Sequence, residues 1–510
     1  MNPLSAAVGA IRAISPRDVA LALAPTLAPA VVAVLFGPGG PLFVAAFVML
    51  AMLLLAYFWF LRSRPVVLIV GLLIWLSVER FILTAVSGRL DATTLTWLLA
   101  YKELFFLFLM LVGLPRAREV WEATRGAVRF VDVAAILFGV AILIALTLSG
   151  APLQTRILYA RRFAELPLVY VAARLLPVKL ADVRAILVAI VAVAVPVALF
   201  GFLERSILET VVWRDLVPAA QYHRLSVAAG IAAYTGENHF ELFYQGLPLN
   251  YFQFGLGDTV RRLVSTYMEP TTLAMYLAFS AAVTLALWPG KWRAYAVVTI
   301  LALATALTLG KAGVLVLVVA GGYAVAAHIR PELRRPAVVV GLAAGIGAVG
   351  AVGAAAMELF GSWSSVLAHL NGLNDGFNSV VHAPFGHGLG FGGDFGVGQA
   401  GAESSIGVML VQIGLLGVAI WLAWLLGLGV ACAFAARRSG LELVCLTLAV
   451  AIFAFFVSAA FTESAGGLLG NWPYALVPAL IFGLAPQGAE RGTDGDAPRS
   501  RIGDWLRAHR

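Results

Sequence analysis

Apolar residues in this chain come in long blocks and do not alternate with polar ones. The blocks fall near 18–37, 41–61, 65–86, 97–114, 130–149, 161–178, 181–203, 270–288, 293–310, 312–328, 336–356, 405–434, 441–462 and 467–485. Each is about the length that crosses ~30 Å of hydrocarbon as a helix. The bilayer interior offers no water to unpaired backbone groups, so segments this long and apolar are predicted to be helical. The predicted fold is all-α, a polytopic membrane helix bundle of about fourteen transmembrane helices. Residues 1–180 form N-terminal transmembrane helices, 181–435 a transmembrane core, 436–486 C-terminal transmembrane helices and 487–510 a basic cytoplasmic tail.

Composition agrees with this division. The chain is 61% hydrophobic and 12% charged, with a mean hydropathy of +0.93, whereas soluble domains carry about 25% charged residues. The net charge of +8 is a matter of membrane sidedness and calls for no nucleic-acid partner. With the N-terminus inside, alternating spans put "RSR" (62–64), "PRAREVWEATRGAVR" (115–129), "PGKWR" (289–293), "RPELRRP" (330–336) and "ARRSG" (436–440) in the cytoplasm. That is the side where short loops accumulate Lys and Arg. The N-terminal block lacks a short apolar core with a small-residue cleavage site, so it is expected to stay as a span. Cys432 and Cys445 lie in apolar blocks and read as small core residues.

Two long connections fall outside in this topology, 204–269 and 357–403. Loops of more than about 12–15 residues are commonly functional or disordered. The first contains "HFELFYQGLPLNYFQF" (239–254), too aromatic for a disordered segment. Short surface helices are expected there, with the rings forming an interface belt or a platform for sugars. The second contains "HAPFGHGLGFGGDFGVGQAGAESS" (382–405), whose glycines allow tight turns and amides facing an anion, or simply a flexible turn.

The order of three motifs resembles the bacterial O-antigen polymerase and O-antigen ligase superfamily. "RLVSTYMEP" (262–270) is similar to the family's Arg, small-residue turn and helix-opening Pro. "LTLGKAGVLVLVV" (307–319) is similar to its Ser-Arg-Gly segment, with Lys311 at the arginine position. "PFGHGLG" is followed by Glu403-Ser404, nine residues and Gly414-Leu415-Leu416-Gly417, where ligases have His-Asn before the same spacing. The resemblance covers about residues 180–435. It implies an integral membrane glycosyltransferase that needs no metal or other cofactor and moves a glycan from a polyprenyl diphosphate at the periplasmic face of the bacterial inner membrane. Glu in place of the ligase His looks more like the polymerase branch.

On this reading Arg262 clamps the diphosphate with a planar guanidinium, the alternative being a cation snorkelling to lipid phosphate. Lys311 adds a second positive charge, and Arg261, Arg161 and Arg162 are further candidates. Arg156, Arg161 and Arg162 supply charge to the donor, or else that span is misplaced. Glu403 is the candidate general base for the attacking sugar hydroxyl, the alternative being a first-turn acid facing the helix dipole. His387 and His239 are rival bases. Glu79–Arg80 and Lys102–Glu103 read as structural ion pairs, or as a lining for the acceptor groove.

The expected function is a polysaccharide polymerase joining polyprenyl-diphosphate-linked repeat units for O-antigen, capsule or exopolysaccharide. A flippase and a chain-length regulator are the expected partner proteins. The alternatives are an O-antigen ligase acting on a lipid acceptor and, from another class, a membrane transporter.

Overall fold

The computed structural model describes residues 21–23, 28–29, 31–32, 35, 41–207, 217–228, 261–346, 364–393, 404–459 and 470–484. Among them there is no β-strand. The helices are α1 Pro41–Phe60, α2 Pro65–Val86, α3 Ala92–Leu99, α4 Tyr101–Gly113, α5 Ala117–Ala123, α6 Gly126–Leu148, α7 Leu153–Arg174, α8 Leu180–Ile207 and α9 Ala219–Ala228. They continue as α10 Pro270–Leu287, α11 Trp292–Leu307, α12 Lys311–Val316, α13 Gly322–Ile329, α14 Pro336–Ile346, α15 Ser364–His382, α16 Ser405–Ser439, α17 Glu442–Ala459 and α18 Trp472–Gly483. A π-helical turn, Leu317–Gly321, joins α12 to α13.

Among the described residues, nine helical stretches are long and apolar enough to cross a membrane. Every block predicted from residue 41 onward contains helix, so the all-α membrane bundle stands. The rest of the predicted fourteen fall short for particular reasons. Of the 18–37 block only scattered residues are described. Helix α7 carries Arg156, Arg161, Arg162, Glu165 and Arg174, and α11, α14 and α18 are shorter apolar helices, Trp292–Leu307, Pro336–Ile346 and Trp472–Gly483. The 97–114 block lies within a stretch counted among the nine, Ala92–Ala123, yet breaks at Ala100 into α3, capped by Asp91 accepting from the Thr94 amide at 2.7 Å, and α4.

Burial separates the centre from the rim. The apolar windows of α10 and α17 are 89% and 83% buried, against 33% for that of α1. Helix α16 packs along both α6 and α17. Since lipid is as apolar as a helix face, such contacts depend on close packing more than on hydrophobic transfer. At Gly313 two helices meet closely: a Cβ there would lie 2.6 Å from the Ala274 carbonyl carbon on α10.

The bundle has two distinguishable ends. Phe455 near the end of α17 stacks on Tyr474, whose hydroxyl donates to Met275 O near the start of α10 at 3.2 Å. Helix α16 begins at this same end, since it runs antiparallel to α17, with Gly429 against Phe453 and Ser439 beside Cys445. The other end gathers the termini of α4, α7 and α18, where Arg174 donates to Phe482 O and Thr124 Oγ1.

Candidate functional site

Two short turns bring Arg262 and Lys311 together. The first, 261–269, crosses between α2 and α8: Thr266 Oγ1 donates to Ser77 O at 2.6 Å and Ser265 Oγ to Val197 O at 2.6 Å. The second, 308–310, joins α11 to α12. The turns are tied to each other by Leu263 N donating to Leu307 O at 3.0 Å and Arg262 Nε donating to Thr308 O at 2.7 Å. Lys311 stands within electrostatic range of Arg262. Gly310 and Gly313 flank it because α12 begins against Ala274 with no room for a side chain.

These turns are strained. Among the described residues the only non-glycine residues with left-handed backbone are Ser265 (φ 50°), Met268 (φ 53°) and Leu309 (φ 54°). All three belong to the turn that carries Arg262 and the turn that leads into Lys311. A bulky side chain at positive φ is unfavourable by about 1–3 kcal/mol and persists where the surroundings over-determine it.

Electrostatics sharpen the corner. Arg262 is half-buried, and burial pushes its pKa down to about 10 while Glu269 pulls the other way. Glu269 precedes α10, with Pro270 in the first helical position, and is paired with Arg80 of α2. Burial alone would raise the Glu269 pKa, but the Arg80 guanidinium and the donors of Thr272 and Thr271 hold it below the usual carboxylate range.

The other cations expected at the site have their own partners. Arg261 is ion-paired with the fully buried Glu204, and its carbonyl accepts from Arg205 Nε at 2.7 Å. Arg161 is paired with Glu103 and donates to Leu99 O at 2.8 Å, a carbonyl at the α3–α4 break. Arg162, beside it on α7, is half-buried. Arg156 donates to Leu146 O at 3.3 Å. Neighbour-to-neighbour ion pairing of Glu79–Arg80 and Lys102–Glu103 is corrected: Arg80 reaches Glu269, Lys102 Nζ reaches Glu165 at 3.1 Å, and Glu103 takes Arg161. Adjacent helical residues point apart, so their partners come from other helices.

The glycine-rich loop docks into a break in α16. Gly414 has φ 68° and ψ −174°, a backbone that favours glycine. Where the helix would bond to itself, His387 N donates to Val411 O at 2.8 Å, Gly388 N to Gln412 O at 3.0 Å, and Leu415 N to Pro384 O at 3.0 Å. The buried Gln412 accepts from Gly390 N at 3.2 Å, and Ser149 Oγ donates to Leu389 O at 2.5 Å. The expectation of amides facing an anion therefore fails for 386–390, whose amides all donate within the protein. Gly386, Gly388, Gly390, Gly392 and Gly393 all have positive φ, and residues 394–403 of the stretch lie outside the described residues.

His387 is exposed on this loop, its Nε2 3.1 Å from Ser379 Oγ of α15. Glu403 and His239 lie outside the described residues. The cap of α16 is Ser404, whose side chain accepts from Gly407 N at 3.1 Å. The capping position is thus filled without Glu403.

Sequence reasoning did not single out Glu269, Thr308 or Gln412. Glu269-Pro270 carried a usable signal as an acid before a helix-opening proline. Thr308 acts through its carbonyl, and Gln412 looks like one polar residue in an apolar helix.

Comparison with known proteins finds no matching family model and no matching curated protein.

Proposed function

We propose that this chain is a membrane glycosyltransferase that joins polyprenyl-diphosphate-linked oligosaccharide repeat units, with its site at the bundle end bearing Arg262 and Lys311. The observation that carries this reading is the pair itself: two cations within electrostatic range of each other, Arg262 on one of two hydrogen-bonded turns and Lys311 just after the other. Like charges so placed repel each other, and an anion between them relieves the repulsion. A diphosphate suits a guanidinium, which offers two parallel donors, beside an ammonium, which acts as a point charge.

In this reading the acceptor hydroxyl oxygen attacks the anomeric carbon of the donor. The bond from that carbon to the diphosphate oxygen breaks, and Arg262 and Lys311 stabilise the charge left on the diphosphate. Glu403 takes the hydroxyl proton as general base. The role of Glu403 rests on its place in the motif and on Ser404 filling the cap. His387, exposed on the docked loop, is the next candidate. The exposed cations at the opposite end support a cytoplasmic location for that end, which turns the Arg262 end outward, toward the periplasm of a bacterial inner membrane.

The test is glycan elongation by purified protein from a polyprenyl-diphosphate-linked donor, run beside solute flux in proteoliposomes. The proposal expects elongation without flux, and a drop of about 10²- to 10⁴-fold in Glu403→Gln with donor binding kept. Transfer to a lipid acceptor without elongation favours a ligase. Flux without glycan transfer overturns the proposal in favour of a transporter. Near-normal elongation by Glu403→Gln moves the base to His387 or His239.

A further inference from the structure

Glu79 is fully buried on α2, and neither carboxylate oxygen has a hydrogen-bond partner. We infer that it is a proton-binding site: its carboxyl group carries a proton.

The groups that face it come from several elements. Lys102 of α4, Arg161 and Glu165 of α7 and the neighbouring Arg80 are its electrostatic neighbours, and Tyr222 of α9 lies within the same field. The cations are committed elsewhere: Lys102 to Glu165, Arg161 to Glu103 and Arg80 to Glu269. From α8, Glu204 is taken by Arg261. His223, next to Tyr222 on α9, is half-buried. Glu103, Glu165 and Glu269 each have a cation in direct contact, whereas the Glu79 oxygens have no hydrogen-bond partner.

An ionised carboxylate with no hydrogen-bond donor is strongly unfavourable in a dry interior, and a bound cation or proton offsets its charge. A hard metal cation needs about six oxygen ligands and would stand among three positive side chains. A proton needs a single oxygen. This inference concerns the cluster alone and does not depend on the glycan reading.

Purified wild type, Glu79→Gln and Glu165→Gln are compared by infrared spectroscopy and thermal melting at neutral pH, with and without added sodium. The carbonyl-stretch band of a protonated carboxyl group is expected in wild type and lost in Glu79→Gln. Glu79→Gln, which keeps the neutral charge, should melt close to wild type, whereas Glu165→Gln should melt several degrees lower. Absence of the band overturns the inference. So does failure of Glu79→Gln to fold, or a loss equal to that of Glu165→Gln, because either means that an ionised carboxylate is required. A sodium-dependent rise in melting that Glu79→Gln abolishes assigns the site to a metal ion instead and also overturns it.

Discussion

At one end of the bundle Lys102, Arg161, Arg80 and Arg261 each reach a carboxylate on another element. At the other end Arg62, Arg129 and Arg293 lie over the rings of Trp59, Trp121 and Trp292, 4.2, 4.3 and 5.6 Å from the ring centroids. The first arrangement holds helices in register, because removing one partner leaves a buried charge unmatched. The second suits a membrane interface, where a long cation reaches water while its stem and an indole stay in the apolar boundary. Arg174, ion-paired with Asp132, is the buried exception at the second end. Arg262 and Lys311 sit at the paired end within electrostatic range of each other, beside the two turns that have left-handed backbone.

The largest effect that can break this contrast is all-or-none. Single cysteines at 262 and at 125 or 334 should label oppositely with an impermeant reagent in intact spheroplasts, reactive at 262 and silent at the others. Both native cysteines are buried, which limits background. Reaction at 125 or 334 with silence at 262 would invert the topology.

The next effect is on stability. Lys102→Ala strands Glu165 in the interior and should destabilise the protein by about 3–5 kcal/mol, read by thermal or denaturant unfolding in detergent. A loss near zero would place Lys102 among the interface cations.

Leu309→Gly relieves a left-handed backbone but loosens the unfolded chain. Its net effect should be stabilisation of no more than about 1 kcal/mol, with weaker donor binding as Lys311 becomes less fixed. Destabilisation would mean that Leu309 serves packing.

The smallest effect is expected at the open end. Arg62→Ala should change stability by no more than about 0.5 kcal/mol and leave elongation at the wild-type level. A larger loss would mean that this cation is bound into the structure.

Much of the fold was legible in the sequence because apolar blocks of bilayer length allow little but helix. The partners of the buried charges were not. Arg80 and Glu269 are 189 residues apart and Glu103 and Arg161 are 58 apart, and nothing local links them. The break at Ala100 escaped notice because no Gly or Pro marks it. The pairing of Arg262 with Lys311 was legible as two motifs, but the strain at Ser265, Met268 and Leu309 was not, since nothing in those residue types calls for positive φ. The docked glycine loop was visible only as a run of glycines. Their placement against the α16 break depends on Val411 and Gln412, whose backbone carbonyls carry no sequence signature.

The most direct test of the cation pair is binding of a soluble polyprenyl diphosphate analogue to purified wild type and Arg262→Ala, with the amount of folded protein measured alongside. Removing one charge-assisted contact of about 1.5–3 kcal/mol should weaken binding by roughly ten- to a hundredfold, while folding stays intact and Arg262→Lys recovers little of the loss. Unchanged diphosphate binding by folded Arg262→Ala would contradict the account.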